Sequence, residues 1–145
     1  MEQREGRGNG EEITMDLYSP RILVVEDNSE LSAVLGELLR RNGYQVITAR
    51  NGIEAVISLT APAPESADAI LLDIGLPLSN GVSVLDFVRN IMSSDLPVIV
   101  LTASANAEQE QELRKLGISR FLRKPVPLDQ VVSAISEAVT AHGEQ

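Results

Sequence analysis

The sequence predicts one α/β domain built on a parallel sheet, and three observations indicate this class. Five short apolar runs, rich in β-branched residues, are too short for helices and are typical of strands buried on both faces. A segment with helical character follows each run after a few residues. The length of 145 residues suits a single domain. Repeated βα units of this kind form a doubly wound five-stranded sheet with helices on both faces.

The first two βα units are predicted within residues 22–66. Strands are expected at residues 22–25 and 44–49. A helical stripe between them ends at Asn42-Gly43 and consists of Leu31, Val34, Leu35, Leu38 and Leu39. Asn51 can cap a short second helix that carries Ile53, Val56 and Ile57, and prolines within residues 61–66 break it.

The other three units follow the same alternation. Strands are expected at residues 69–72, 98–101 and 119–122, and Pro77 with Asn80-Gly81 marks a loop after the first of them. The third helix should bury Val84, Leu85, Val88, Ile91 and Met92. Residues 106–115 favour a helix with little apolar surface. The last helix begins near Pro127, with an inner face of Leu128, Val131, Val132, Ile135 and Val139.

Composition excludes several kinds of chemistry. The chain has no cysteine and one histidine, His142, which removes disulfides, thiolate zinc sites and a cysteine nucleophile. The net charge of −9 argues against direct binding to nucleic acid. No apolar run approaches a membrane span of about 20 residues, and no signal peptide is recognisable, so we expect a cytoplasmic protein without membrane association.

The two ends of the chain differ in composition from the interior. Residues 1–20 carry five acids and two bases and are rich in glycine, which favours a flexible N-terminal arm, although a docking peptide remains an alternative. The globular domain is expected to span residues 21–142, and residues 143–145 form a short tail. No stretch is left for a second domain with a DNA-recognition helix, so we expect output through a protein partner or an attached domain of a longer regulator.

Polar side chains follow the predicted strands at the edge where ligands bind in open parallel sheets. They are Glu26 and Asp27, Asp73, Thr102 and Lys124. Singly, each has an ordinary structural explanation, such as a helix cap for Asp27 or a turn residue for Asp73. Together, carboxylates about 4 Å apart repel by ~4 kcal/mol at an effective dielectric of 20, so a fold that gathers them requires a cation. Oxygen ligands favour Mg²⁺, and this is the residue set of a phosphoryl-transfer site with a possible aspartate nucleophile.

Four runs of sequence resemble the receiver domain of two-component response regulators. They are ILVVEDN at residues 22–28, LDIGLPLSNG at 72–81, PVIVLTA at 97–103 and FLRKP at 121–125. The similarity covers about residues 20–142, with the runs in the family's order and spacing. It implies a flavodoxin-like (βα)₅ fold with strand order 2-1-3-4-5.

The resemblance also assigns roles at the strand ends. Asp73 would accept a phosphoryl group from a phosphohistidine of a histidine kinase or histidine phosphotransfer protein. Mg²⁺ or Mn²⁺ would be held by Glu26, Asp27, Asp73 and the backbone carbonyl of Gly75. The domain would catalyse only its own phosphorylation and dephosphorylation.

Further implied roles concern the phosphoryl group and the response to it. Lys124, Thr102 and the backbone of Ala103 would bind the phosphoryl oxygens, and the Lys124–Pro125 bond would be cis. Thr102 and Phe121 would form the switch, with Phe121 turning inward when Thr102 moves. The weakly apolar helix at residues 106–115, the fifth strand and the last helix would form the output face for a downstream protein.

Small departures from the family pattern give one hypothesis and leave two alternatives open. Asn80 and Phe121 stand where aspartate and tyrosine are common. Gly75 and Ser104 are small, which would give water access to the phosphoryl group and shorten its lifetime. The alternatives are a receiver-like scaffold that is never phosphorylated, and an aspartate-nucleophile phosphatase, although such enzymes carry the nucleophile on the first strand.

Overall fold

A five-stranded parallel sheet forms the centre of the molecule in the computed structural model, which describes residues 19–62, 65–76 and 80–143. The strands are β1 (Arg21–Val25), β2 (Gln45–Ala49), β3 (Ala69–Leu72), β4 (Val98–Thr102) and β5 (Arg120–Arg123). The helices are α1 (Ser29–Arg41), α2 (Gly52–Leu59), α3 (Gly81–Asp86), α4 (Ala107–Leu116) and α5 (Leu128–Gly143). The strand order is β2-β1-β3-β4-β5, which confirms the predicted doubly wound fold.

Parts of the predicted organisation lie outside the described residues. These parts are residues 1–18 of the expected arm, residues 144–145 of the tail, residues 63–64 of the proline-containing break and residues 77–79 of the loop after β3. Among the residues that the structure does describe, no helix is long and apolar enough to span a bilayer.

The sheet separates two apolar layers because successive strand residues point to opposite faces. Leu23 and Val25 of β1 pack with α2, α3 and α4, whereas Ile22 and Val24 pack with α1 and α5. The four residues of β3 and the five of β4 are all buried, as the apolar runs predict. The buried hydrophobic residues of the helices are Leu35 and Leu39 of α1, Ala55 and Leu59 of α2, Val84 and Leu85 of α3, Leu113 of α4, and Val131, Ala134, Ile135 and Ala138 of α5.

The predicted inner faces of α1, α2 and α5 were wrong in part. In α2, Ile53 and Ile57 are 54% and 66% exposed, and Gly52, Ala55 and Leu59 are buried instead. An eight-residue helix offers two candidate apolar faces. The face that is buried carries the small residues Gly52 and Ala55, which let the helix approach the sheet closely. In α1 the small residues Ser32 and Gly36 are likewise buried while Val34 is exposed, and Leu128, the first residue of α5, is exposed as well.

The helix that begins with α3 changes from α-helical to π-helical geometry after Asp86. Residues Phe87–Ile91 form a π-helical turn, in which the Met92 N–H donates to the Phe87 carbonyl at 2.9 Å. This i→i+5 bonding widens the turn and rotates the residues that follow it. Ile91 is therefore 69% exposed and Met92 is also exposed, so the predicted inner face ends at Val88.

Candidate functional site

Three carboxylates meet at the carboxyl edge of the sheet, as the sequence predicts. Backbone pairing continues one residue past β1 and β3, because the Glu26 N–H donates to the Ala49 carbonyl and the Asp73 N–H to the Val25 carbonyl, each at 3.0 Å. The sheet thereby fixes the backbone positions of Glu26 and Asp73. One carboxylate oxygen from each of Glu26, Asp27 and Asp73 lies within 4.8 Å of the others.

Lys124 provides the positive charge that faces this cluster. Its Nζ donates to Glu26 Oε1 at 2.9 Å and to Asp73 Oδ2 at 3.2 Å. The Lys124 N–H donates to the Thr102 carbonyl at 2.9 Å, which extends the β4–β5 pairing, and the Lys124–Pro125 bond is cis, as the resemblance implies. Glu26 and Asp73 are only 2% and 7% exposed, so water screens these charges poorly.

The protonation equilibria reflect this balance of burial and pairing. Burial raises the pKa of Glu26, although hydrogen bonds from Lys124 and from the Asn28 N–H oppose the rise. For Lys124, burial disfavours the charge, but the hydrogen bonds to Glu26 and Asp73 outweigh it and the pKa is raised. One ammonium thus faces three carboxylates. The donor set is entirely hard oxygen, with Asp27 open to solvent, and it fits a divalent cation such as Mg²⁺.

The loop after β3 is shaped by two glycines. The Gly75 N–H donates to Asp73 Oδ1 at 2.8 Å and so orients the carboxylate. Gly81 donates its N–H to the Ile74 carbonyl at 3.1 Å, and a Cβ on Gly81 would lie 2.5 Å from Ile74 Cα and 2.9 Å from the Asp73 carbonyl oxygen. Only glycine permits this approach, so Gly81 holds the start of α3 against the Asp73 loop.

Thr102 lies at the end of β4, and its side chain is held weakly. The residue is buried, yet the hydrogen bonds of its hydroxyl to described residues are both long, 3.4 Å to the Ser104 carbonyl and 3.3 Å from the Ser104 N–H. Hydroxyl hydrogen bonds are usually about 2.7–2.8 Å to an oxygen acceptor. The Thr102 side chain can therefore exchange these contacts for a better partner. Ala103 follows at the exposed strand end.

Phe121 lies on β5, paired in register with Val100 of β4. It is partly buried and packs against the apolar layer beneath α2, α3 and α4. Two guanidinium carbons lie over its ring, Arg123 at 4.9 Å and Arg114 at 5.8 Å from the centroid. Glu110 of α4 forms ion pairs with both arginines.

Sequence reasoning missed some of these residues. The Glu110–Arg114 pair could have been found from its i,i+4 spacing on a predicted helix. The Glu110–Arg123 pair joins residues from different elements and has no local signal. The contact of the Asn28 N–H with Glu26 likewise depends on how the chain turns into α1.

The fold and this site together define a class of protein. Residues 22–136 match the family model described as the response regulator receiver domain, and the chain belongs to that family. Transcriptional regulatory protein PrrA of Mycobacterium bovis is 38% identical over 125 residues, which are 86% of this chain and 52% of PrrA. The chain thus spans about half the length of this relative.

Other similar proteins match most of their own length. Sporulation initiation phosphotransferase F of Bacillus subtilis is 28% identical over 121 residues, which are 83% of this chain and 94% of that protein. The non-phosphorylated HemR receiver domain of Leptospira biflexa has a TM-score of 0.75 at 32% identity, covering 83% of this chain and 94% of that one. A CheY-like receiver protein of Methanospirillum hungatei reaches a TM-score of 0.80 at 23% identity, covering 87% and 98%, and supports the fold alone.

Proposed function

We propose that this chain is a phosphorylation-activated signalling switch in which Asp73 accepts a phosphoryl group from a phosphohistidine of a histidine kinase or histidine phosphotransfer protein. The observation that carries the proposal is the Asp73 carboxylate itself. It is buried at the sheet edge, 3.2 Å from the Lys124 ammonium and grouped with two further carboxylates.

Transfer would proceed by attack of an Asp73 carboxylate oxygen on phosphorus. The new O–P bond forms as the N–P bond of the phosphohistidine breaks, and the bond's electron pair leaves with the imidazole, which takes up a proton. Glu26, Asp27, Asp73 and the Gly75 carbonyl would hold Mg²⁺ or Mn²⁺. The cation would supply positive charge to the phosphoryl oxygens.

The chain's own donors would bind the transferred group. Lys124 would exchange its contact with Asp73 Oδ2 for a phosphoryl oxygen, and the Thr102 hydroxyl would leave its two long contacts with Ser104 for another. The Ala103 N–H would donate to a third. We propose that the Thr102 movement makes room for Phe121 to turn inward and so alters the face formed by α4, β5 and α5, which a downstream protein or attached output domain would read.

Intact-mass measurement after incubation with acetyl phosphate and Mg²⁺ tests the acceptor directly. Wild type should gain one phosphoryl group, Asp73→Asn should gain none, and chelation of Mg²⁺ should suppress the gain in wild type. Asp68→Asn is a matched control, because it removes an aspartate at the other end of β3, and it should label as wild type does. Absence of labelling in wild type would favour an unphosphorylated scaffold.

The lifetime of the phosphoryl group gives a second test of the site. A Cβ at Gly75 would lie 3.6 Å from Asp73 Oδ1, so a larger side chain there would extend over the acceptor and hinder water. We expect Gly75→Met combined with Ser104→Met to slow loss of the phosphoryl group. Decay followed by mass after removal of acetyl phosphate measures the rate, and an unchanged rate would refute the idea that small residues shorten the lifetime.

A further inference from the structure

A bridge of charged residues joins α4 to β5 directly over Phe121. Glu110 Oε2 accepts from Arg114 Nη2 at 2.9 Å and from Nε at 3.2 Å, and Glu110 Oε1 accepts from Arg123 Nη2 at 2.7 Å. Each carboxylate oxygen thus holds a different guanidinium. Glu110 and Arg123 are 13 residues apart in sequence and lie on different elements, so the bridge links the helix to the strand.

Both guanidiniums that Glu110 holds also lie over the Phe121 ring, at 4.9 Å for Arg123 and 5.8 Å for Arg114. Both distances are within the range in which a cation is attracted to an aromatic ring. The Glu110 carboxylate therefore holds both guanidinium groups next to the Phe121 ring in its present orientation. An inward rotation of Phe121 would remove the ring from both of them.

Little else would hold α4 against β5. Leu113 is the one buried residue of α4, and it packs in the layer shared with α2 and α3. The Glu110–Arg123 pair is the sole ion pair between α4 and β5 among the described residues, since the Glu110–Arg114 pair lies within α4. A change in this bridge should therefore alter the position of Phe121 more than it alters the stability of the domain.

We propose that Glu110 is a positioning residue of the switch, which holds Arg114 and Arg123 on the Phe121 ring and thereby favours the unphosphorylated arrangement. This inference rests on the proposed function, because it assigns a cost to the inward movement of Phe121 that phosphorylation of Asp73 must overcome. By linkage, removing the bridge should strengthen binding of a phosphoryl group or its mimic at Asp73.

The test compares Glu110→Gln with Glu112→Gln by titration with beryllofluoride in the presence of Mg²⁺. Glu112 is on the same helix, is exposed, and makes no ion pair with any residue that the structure describes. Both variants remove one negative charge from α4. Backbone amide chemical shifts of residues 104–116 report the transition, and the quantity measured is the half-saturating beryllofluoride concentration.

We expect Glu110→Gln to lower the half-saturating concentration about two- to fivefold, the factor that corresponds to a partly exposed cation–ring contact, and Glu112→Gln to leave it unchanged. The Phe121 ring resonances of free Glu110→Gln should move toward the beryllofluoride-bound positions. High salt should reduce the difference between Glu110→Gln and wild type, because the bridge is partly exposed.

A second variant excludes a merely structural effect. Arg123→Gln should also lower the half-saturating concentration. Combining it with Glu110→Gln should lower that concentration little further, because the effects of two substitutions in one network are not additive. A fall in melting temperature without a change in half-saturation would overturn the proposal, as would equal half-saturation in all variants. Intact-mass labelling by acetyl phosphate separates the two proposals, since a wild type that does not label contradicts the function itself.

Discussion

The helices on either side of β5 are attached to the domain in different ways. α5 buries Val131, Ala134, Ile135 and Ala138 against the sheet, whereas α4 buries only Leu113. Polar contacts supplement this burial. The Glu110 bridge and the bonds of Arg89 to the carbonyl that follows the helix link α4 to other elements, and a capping box between Asn106 and Gln109 stabilises its first turn.

This difference assigns separate tasks to the two helices. Buried apolar area gives α5 a fixed position, because loss of that area would cost several kcal/mol. Polar contacts near the surface are individually weak and can be exchanged for others, so α4 can shift at small cost. The site at Asp73 can thus act on α4 while α5 and the sheet keep the site itself in place.

The largest expected effect comes from shortening a buried side chain in each helix. Ile135→Ala should lower the free energy of unfolding by about 2–5 kcal/mol, since it leaves a cavity in the layer beneath α1 and α5. Leu113→Ala should cost less, because α4 can loosen locally around the change. Urea denaturation of both variants measures the difference, and equal losses would contradict the contrast between the helices.

The next effect concerns the C-terminal end of α4. Arg89 donates to the Gly117 carbonyl from Nε at 3.2 Å and from Nη2 at 2.8 Å, and its Nη1 donates to the Ser94 carbonyl at 3.0 Å. Arg89→Met should lower stability by about 1–3 kcal/mol and speed exchange of amides near residue 116. Arg41→Met is the control, because within the described part of the chain the exposed Arg41 side chain pairs with Glu37 alone. Similar effects of both variants would argue against an anchor at this end.

A smaller effect is expected at the other end of α4. The Asn106 side chain accepts from the Gln109 N–H at 2.7 Å, and Asn106→Ala should weaken the helix by about 1 kcal/mol. Hydrogen exchange of residues 107–110 should accelerate, with little change in the melting temperature. Asn90→Ala removes an exposed side chain whose one hydrogen bond to a described residue is with Asp86, and it should change neither quantity. A large fall in melting temperature for Asn106→Ala would show that α4 is part of the fixed scaffold.

The smallest effect lies at the end of α5. His142 Nε2 is 3.0 Å from Asp95 Oδ1, and this hydrogen bond holds the pKa of Asp95 below its ordinary value of 3.8. A lowered carboxyl pKa contributes stability that is present above pH 3.8 and is lost as the pH falls through the lowered value. Asp95→Asn should therefore reduce the melting temperature slightly at pH 5 and not at all near pH 2. A pH-independent difference would exclude this pair as its cause.

Most of the fold was predictable because alternating runs of β-branched residues carry a strong local signal. The strand positions and the gathering of Glu26, Asp27, Asp73 and Lys124 follow from that alternation. The weak burial of α4 follows from the scarcity of large apolar residues in its sequence. Helix faces were less predictable. In α2 two of the three buried residues are Gly52 and Ala55, whose small size gives little hydrophobic signal.

Features that depend on non-local contacts were not predictable. The π-helical turn at Phe87–Ile91 has no sequence signature that we recognise, yet it places Arg89 where it reaches Gly117. The bridge from Glu110 to Arg123 requires knowledge of how α4 packs beside β5. Both features bear on α4, the element whose attachment is mainly polar.

Hydrogen exchange with and without beryllofluoride and Mg²⁺ tests the central claim most directly, that a phosphoryl group at Asp73 changes α4 while α5 stays fixed. We predict altered exchange for residues 104–116 and unchanged exchange for residues 131–139, with no response in Asp73→Asn. Identical exchange of residues 104–116 in the two conditions, in a protein that labels with acetyl phosphate, would contradict the account.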